Sequence, residues 1–245
     1  MKVLSLNLHC FKEENRIEKL NKIVQFILDN EVDVCIFQEV AQLNSEEMIS
    51  RNIKKGNNAY YIAEKIKYNI AFHPVKRGFD VLDEGLAFVS KYPILHPQSK
   101  IISYEDDYSK WYKRDCFYVN INGVSFYNVH IGWDCCGEKG INQIKNLLNF
   151  IQNEGLFFVA GDFNYPDGSS EINYVKKSLY SLSELVNIDS AKHPTFHYQL
   201  DNINYDFENR MIDFVFSNEK IQLKDFKIVF NSDYVSDHNG LFFEF

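Results

Sequence analysis

The 245-residue chain contains no apolar run approaching the roughly 18 residues that a membrane-spanning helix needs. It also lacks a basic tract: the lysines are dispersed or stand in isolated pairs (Lys54-Lys55, Lys176-Lys177), and the formal net charge is −8. Proteins that grip long nucleic acid draw most of their affinity from neutralised phosphates, so this balance argues against a nuclease, although a local basic groove fits within an acidic total. Cysteine is sparse, with five residues, an odd number scattered over predicted strands and loops, as expected for reduced cytosolic thiols. Cys135 and Cys136 are adjacent and poorly placed to bridge each other, and no second pair completes a structural zinc site. No short repeat and no low-complexity linker interrupts the chain. Met1-Lys2-Val3-Leu4-Ser5-Leu6-Asn7 is a short alternating run with one basic residue, unlike a signal-peptide core, so a cytoplasmic protein without a membrane partner is expected.

What is present suits one large layered α/β domain over residues 1–245. Hydrophobic residues make up 45% of the chain and aromatics 16%, which is ample for a core. The stretch around which the rest is arranged is Leu156-Phe157-Phe158-Val159-Ala160-Gly161-Asp162-Phe163-Asn164. Its apolar run reads as a strand buried on both faces. It ends in Asp162 and Asn164, which an extended chain would project to the same side at the strand end, a common place for a site in layered α/β proteins.

The same pattern recurs along the chain. Lys2 to Leu8 reads as a strand with Asn7 near its end, and Glu13 to Asn30 as an amphipathic helix (Ile17, Leu20, Ile23, Val24, Ile27, Leu28). Asp33 to Gln38 is a buried strand with Glu39 at its C-terminal end. Asn44 to Asn69 has a mostly helical composition, broken near Gly56. Ile70 to His73 is a strand halted by Pro74, and Gly85 to Ser90 another, ending before Pro93. Asp115 to Asn120 and Val124 to His130 flank Asn122-Gly123, a hairpin signal, and the second arm stops on His130. Gly137 to Asn153 reads as a helix, Ser169 to Asn187 as helical in its first part, and Met211 to Phe216, Phe226 to Phe230 and Leu241 to Phe245 as strands. Two halves of similar alternation suggest two facing sheets with helices outside.

Each polar interruption has a plain explanation. Asn7 suits a turn, Asp162 and Asn164 suit helix caps, His130 a satisfied core histidine and Asp213 half of an ion pair. Asp237-His238 suits a polar loop, whereas Glu39 directly after a buried strand is costly unless paired, solvated or metal-bound. Taken together the types form a set. Glu39, Asp162, Asp237 and the amides of Asn7 and Asn164 are hard oxygen donors suited to Mg²⁺ or Mn²⁺. His130 and His238 can donate to phosphate oxygens, and Asp213 can orient a histidine.

The segments Leu6-Asn7, Phe37-Gln38-Glu39-Val40, Gly85 to Lys91, Val129-His130, Gly161-Asp162-Phe163-Asn164, Ile212-Asp213-Phe214 and Ser236-Asp237-His238 span nearly the whole chain. In type and order they resemble the motifs of the endonuclease/exonuclease/phosphatase superfamily of metal-dependent phosphoesterases. The resemblance implies a four-layer α/β/β/α sandwich with the site between two mixed sheets. It implies Glu39 as principal metal ligand with Asn7 and Asp237, Asp162 as the base for the attacking water, and Asn164 holding water or phosphate. Asp213 and His238 would form a dyad at the pentacovalent phosphate, and His130 would contact a phosphate oxygen.

Within that superfamily, Asp83-Glu84-Gly85, His130-Ile131-Gly132-Trp133 and Val235 to Gly240 look most like bacterial maltose 6'-phosphate phosphatases. Asp134-Cys135-Cys136-Gly137 departs from that branch's pattern and leaves the sugar open. Trp111, Tyr112, Trp133, Tyr198 and Tyr205 fall in predicted loops, where their rings could stack on a sugar or pack inward. Arg114 is either a bidentate phosphate grip or a solvated hairpin charge. The expected substrate is a small phosphorylated sugar; the alternative is a nuclease or nucleotide phosphodiesterase using the same groups.

Overall fold

The computed structural model describes residues 1–151, 155–197 and 210–245. The chain begins with β1 (Lys2–Asn7), α1 (Arg16–Asp29), β2 (Val34–Leu43), the short pair β3 (Met48–Ser50) and β4 (Ile53–Lys54), and α2 (Asn58–Ile66). It continues through β5 (Asn69–Gly78), β6 (Leu82–Ser90), β7 (Ile94–Ile101), β8 (Asp115–Ile121), β9 (Val124–His130) and α3 (Gly140–Phe150). It closes with β10 (Phe157–Asp162), α4 (Ser170–Val175), β11 (Tyr180–Ser181), α5 (Leu182–Leu185), β12 (Asp213–Ser217), β13 (Asp225–Val229) and β14 (Gly240–Glu244).

Two six-stranded sheets result, ordered β13-β14-β1-β2-β6-β5 and β11-β12-β10-β9-β8-β7. Each holds one parallel pair, β1 with β2 and β9 with β10, flanked by antiparallel strands. Leu20, Ile23 and Ile27 of α1 and Ile62 of α2 pack with Leu4, Leu6, Cys35 and Phe37 on the outer face of the first sheet. On the second sheet, Ile144 and Leu147 of α3 and Ile172 and Val175 of α4 join the larger core. This is the four-layer sandwich, each fully buried Leu or Phe contributing about 1.5–3 kcal/mol.

Strand alternation sorts every strand between a helix-covered face and an inter-sheet face. Phe158 of β10 meets Phe243 and Phe245 across the gap, with ring centroids 5.2 and 4.7 Å apart. Toward the other end of the strands the gap becomes polar. Gln38 Nε2 donates to Asn128 Oδ1 (2.8 Å), and Asn128 Nδ2 donates to the carbonyls of Phe37 and Ala87 (2.9 and 3.1 Å), joining the sheets just below the site.

Several elements depart from the sequence-based expectation. Strand β5 runs through Pro74 to Gly78 because it lies at a sheet edge, where a missing N–H need not break the ladder. Glu39 sits within β2, which continues to Leu43, at a bulge between Phe37 and Val40. Residues 44–57 form turns and the β3–β4 pair, and only Asn58–Ile66 is helical. Residues 169–187 are helical in their first part, as expected, through α4, and then form β11 and the single-turn α5. Strand β7, unmarked in the sequence, is mostly exposed, so no burial periodicity announces it. Tyr198 and Tyr205 lie outside the described residues.

Candidate active site between the sheets

The polar ends of strands from both sheets meet at one pocket of about 480 Å³, within the size range of small-molecule sites. Register places its second-sheet side chains. Asp162 at the end of β10 stands opposite His130 of β9 on one side and Asp213 of β12 on the other, so three side chains from three strands share a face. Gly161 allows the close approach beneath them. Its φ is +147° and an added Cβ would fall 1.9 Å from the Val129 carbonyl oxygen. After β10 the chain turns, with Asn164 left-handed at φ 55°. Asn164 therefore reaches the pocket through a turn, contrary to the extended-chain expectation. Its N–H donates to Asp162 Oδ1 (2.8 Å) and its Nδ2 to the Ile131 carbonyl (2.8 Å).

From the first sheet come Asn7 and Glu39. Ile36 and Gln38 face the gap while Cys35 and Phe37 face the helices, so regular alternation would point Glu39 outward. The bulge and a left-handed φ of 47° re-aim it into the pocket. Asn7 Nδ2 then donates to Glu39 Oε1 (3.1 Å) and to Asp162 Oδ2 (3.0 Å), tying the sheets together at the site. Cys10 Sγ donates to Glu39 Oε2 (3.3 Å).

His238 Nδ1 lies 2.9 Å from Asp213 Oδ2, and its Nε2 is 3.7 Å from Asp162. Thr195, unmarked in the sequence, holds this corner: its Oγ1 accepts from the N–H groups of Ile212 and Asp213 (3.0 Å each). Asp237 also lines the pocket, but its nearest titratable partner is His9, at 3.4 Å. His9 in turn bonds Glu13 (2.6 Å), which pairs with Lys19. His9 and the Lys76–Glu84 ion pair (2.8 Å) border the pocket and were not predicted. The only signals for them were a histidine two residues past Asn7 and a lysine shortly after a strand proline.

Burial dominates the electrostatics. It pushes the Asp162 carboxyl up to about 7, helped by Asp213 and Glu39 and opposed by His238. For Glu39 burial also acts upward, but His9, Lys76, the Asn7 bond and His130 when protonated outweigh it and hold the carboxyl well below its ordinary value. Burial opposes a charge on His238, yet Asp213, Asp162 and Asp237 keep its pKa well above the usual histidine value. Burial and the Arg114 guanidinium hold His130 well below that value. Its 3.6 Å approach to Asp162 is thus a contact with a neutral ring near neutral pH, not an ion pair.

Arg114 is 3% exposed, which excludes the solvated-charge alternative. Its Nη1 donates to the carbonyls of Trp111 (2.8 Å) and Lys113 (2.9 Å), and Nε has no partner among the described residues. Trp111 and Trp133, with centroids 6.0 Å apart, line the same pocket. Tyr112 does not; its hydroxyl donates to Glu105.

The donor set fits a hard divalent cation. Glu39, Asp162 and Asp237 line the pocket with Asp213 behind Asp162, and burial, with Glu39 adding to it, displaces the Asp162 and Asp237 carboxyls upward, a cost that a cation would relieve. Asn7 meets Glu39 through Nδ2, a donor that does not bind a cation, while its Oδ1 accepts from the His9 N–H (2.9 Å), so Glu39 is the ligand already presented and Asn7 would join it only by turning its amide.

The sequence matches the Endonuclease/Exonuclease/phosphatase family over residues 4–238. A comparison with curated proteins gave no match. Among solved structures, a protein of the same family from Leptotrichia buccalis is 25% identical, with a TM-score of 0.86 over 100% of this chain and 98% of that one. A mannosyl-6-phosphatase from Bacteroides thetaiotaomicron has a TM-score of 0.71 at 16% identity, covering 100% of this chain and 98% of that one. An AP endonuclease from Archaeoglobus fulgidus has a TM-score of 0.70 at 14% identity, covering 100% of this chain and 99% of that one.

Proposed function

The chain belongs to the endonuclease/exonuclease/phosphatase family, and from that premise we propose that it is a Mg²⁺- or Mn²⁺-dependent phosphomonoesterase acting on a small phosphorylated sugar. The observation that carries this reading is Glu39 and Asp162, from opposite sheets, bridged by the Asn7 amide and lining one pocket with His238, which Asp213 holds from behind. We read residues 1–245 as one domain with one site, working in the cytoplasm, where five scattered thiols stay reduced.

Glu39, Asn7 and Asp237 would hold the cation, which when bound neutralises charge on the phosphate oxygens. Asp162 takes a proton from water at its carboxylate as the water oxygen attacks phosphorus in line, and the bond to the sugar oxygen breaks. With a pKa near 7, Asp162 is both ionised enough and basic enough for this role. Asn164 holds the water or a phosphate oxygen. His238, kept protonated by Asp213, donates to the oxygen on which charge develops. Neutral His130 donates a further hydrogen bond to phosphate. Arg114 and Trp133 contact the substrate, Arg114 at the phosphate and Trp133 at the sugar face.

Support for a small substrate is the pocket's size, the pair of tryptophans at its side and the lack of a basic tract. A nuclease or nucleotide phosphodiesterase would use the same groups, and the fold likeness to an AP endonuclease keeps that reading in view. The deciding experiment measures phosphate release from a panel of sugar phosphates, with nucleotides and plasmid DNA alongside, each with Mg²⁺, Mn²⁺ or chelator. Release from a sugar phosphate, abolished by chelator and with DNA intact, is expected. Degraded DNA with untouched sugar phosphates would replace this reading with the nuclease.

A further inference from the structure

Arg114 presents an unusual combination for a buried guanidinium. The carboxylates on the flanking strands are committed elsewhere: Glu84 pairs with Lys76 at 2.8 Å, and Asp115 with Lys113 at 2.5 Å and His73 at 2.7 Å. No carboxylate among the described residues lies within ion-pair distance of Arg114. A buried charge without a counter-ion is costly, and the cost falls when an anion enters. The group is also fixed in place. Its Nη1 is locked to two backbone carbonyls, while its own N–H and C=O are tied to Ser103 and Ile102.

That arrangement uses one side of the guanidinium and spares the other. Neither Nε nor Nη2 donates to a described residue, and these two atoms form the side-on edge that binds two oxygens in parallel. Gly132 packs against the same atoms: an added Cβ would stand 3.3 Å from Nε and 3.4 Å from both Cζ and Nη2. Arg114 borders the pocket together with His130 and Asp162.

We propose that this unshared Nε–H and Nη2–H edge makes Arg114 the residue that selects phosphomonoesters over phosphodiesters. The inference rests on the phosphoester-hydrolase reading of the site. A monoester near neutral pH carries close to two negative charges and three terminal oxygens. A diester carries one charge and two such oxygens. With His130, His238 and the cation taking those two, its second ester substituent would occupy the third position and bring carbon against two buried donors. Sites built to satisfy buried donors reject ligands that leave them unpaired.

The test compares nitrophenyl phosphate with bis-nitrophenyl phosphate, which share a leaving group and differ in the phosphoryl charge. Wild type, Arg114→Lys, Arg114→Gln and Gly132→Ala are assayed with Mg²⁺. Lysine keeps a charge without the fork, and alanine at 132 crowds the fork without removing it; Gly132 lies outside the left-handed region, so alanine adds no backbone strain. The monoester-to-diester ratio of kcat/KM is expected to fall about tenfold or more in each variant. Binding is followed in parallel by titrating inorganic phosphate and dimethyl phosphate, because the chain's two tryptophans, Trp111 and Trp133, both line the pocket and report on it by fluorescence. Phosphate affinity is expected to drop about tenfold in Arg114→Gln, more than that for dimethyl phosphate. Proportional loss on both substrates, or unchanged phosphate binding, would overturn the proposal. A wild type that hydrolyses neither ester would sink the hydrolase reading, and the selectivity of Arg114 would then stand only if Arg114→Gln erases a preference for phosphate over dimethyl phosphate in binding and fall if it does not; wild-type preference for the diester would sink both.

Discussion

At the scale of single residues, Asp162 serves two conflicting demands. As the proposed base it would have to be ionised to accept a proton, yet burial beside Asp213 and Glu39 pushes its carboxyl up to about 7. An unfolded aspartate titrates near ~3.9, so over the window between these values the folded state holds a proton that the unfolded state has released. Asp162 therefore lowers stability as pH rises, with the full penalty present above about 7. Asp162→Asn is expected to reduce kcat by about 10²–10⁴-fold. Without added metal it should also raise the melting temperature, with a larger gain at about pH 8 than at about pH 5. A variant less stable than wild type at both would contradict the assignment of strain to this carboxylate. For the wild type, kcat/KM should climb with pH along a limb at or below about 7. Raising Mg²⁺ should move that limb to lower pH, because a cation beside Asp162 favours its ionised form. A pH profile at two metal concentrations checks both points.

At the scale of elements, the site depends on where strands break their own rules. The bulge in β2 turns Glu39 from the helix-covered face into the pocket, and Thr195 secures the start of β12 so that Asp213 meets His238. Gly161 is the most constrained position. A methyl group there would lie 1.9 Å from a backbone oxygen of β9, which cannot move without parting the parallel pair that aligns Asp162 with His130. Gly161→Ala is expected to cost about 3 kcal/mol or more in urea unfolding and to lower turnover even where the variant still folds. A near-neutral result would mean that β9 and β10 can separate locally without disturbing the site.

At the scale of the whole molecule, the two sheets act as jaws held by Gln38–Asn128 below the site and by Asn7–Asp162 within it. The net charge of −8 comes with no basic tract. Hydrolysis of a small sugar phosphate should therefore change by less than about twofold between ~50 and ~200 mM salt, whereas a protein contacting 6–10 nucleic-acid phosphates would lose about 10³-fold or more in affinity. Initial rates across that range, with a DNA-binding titration beside them, make the comparison. Steep salt dependence would place a basic surface on the molecule and favour the nuclease.

Much of the architecture was legible from residue order. Periodicity marked α1 and β1, an unbroken apolar run marked β10 and Asn122-Gly123 marked the β8–β9 hairpin, and the motif series resembled the family to which the chain belongs. Helices and buried strands leave such marks because their burial repeats over short distances. Exposed β7 left none, and the edge position that lets β5 pass through Pro74 is a property of the sheet, not of the segment. The polar residues of the site were likewise visible as types at strand ends. Their encounters were not, since Asn7 and Asp162 are 155 residues apart and meet only because two sheets close on each other. The bulge that aims Glu39, the burial that lifts Asp162 and the lack of a counter-ion for Arg114 among the described residues all depend on what surrounds a side chain in space. Sequence by itself determined the strands, helices and chemical types this chain brings; the tertiary structure alone decided which groups share a low-dielectric pocket, and that proximity sets their charge.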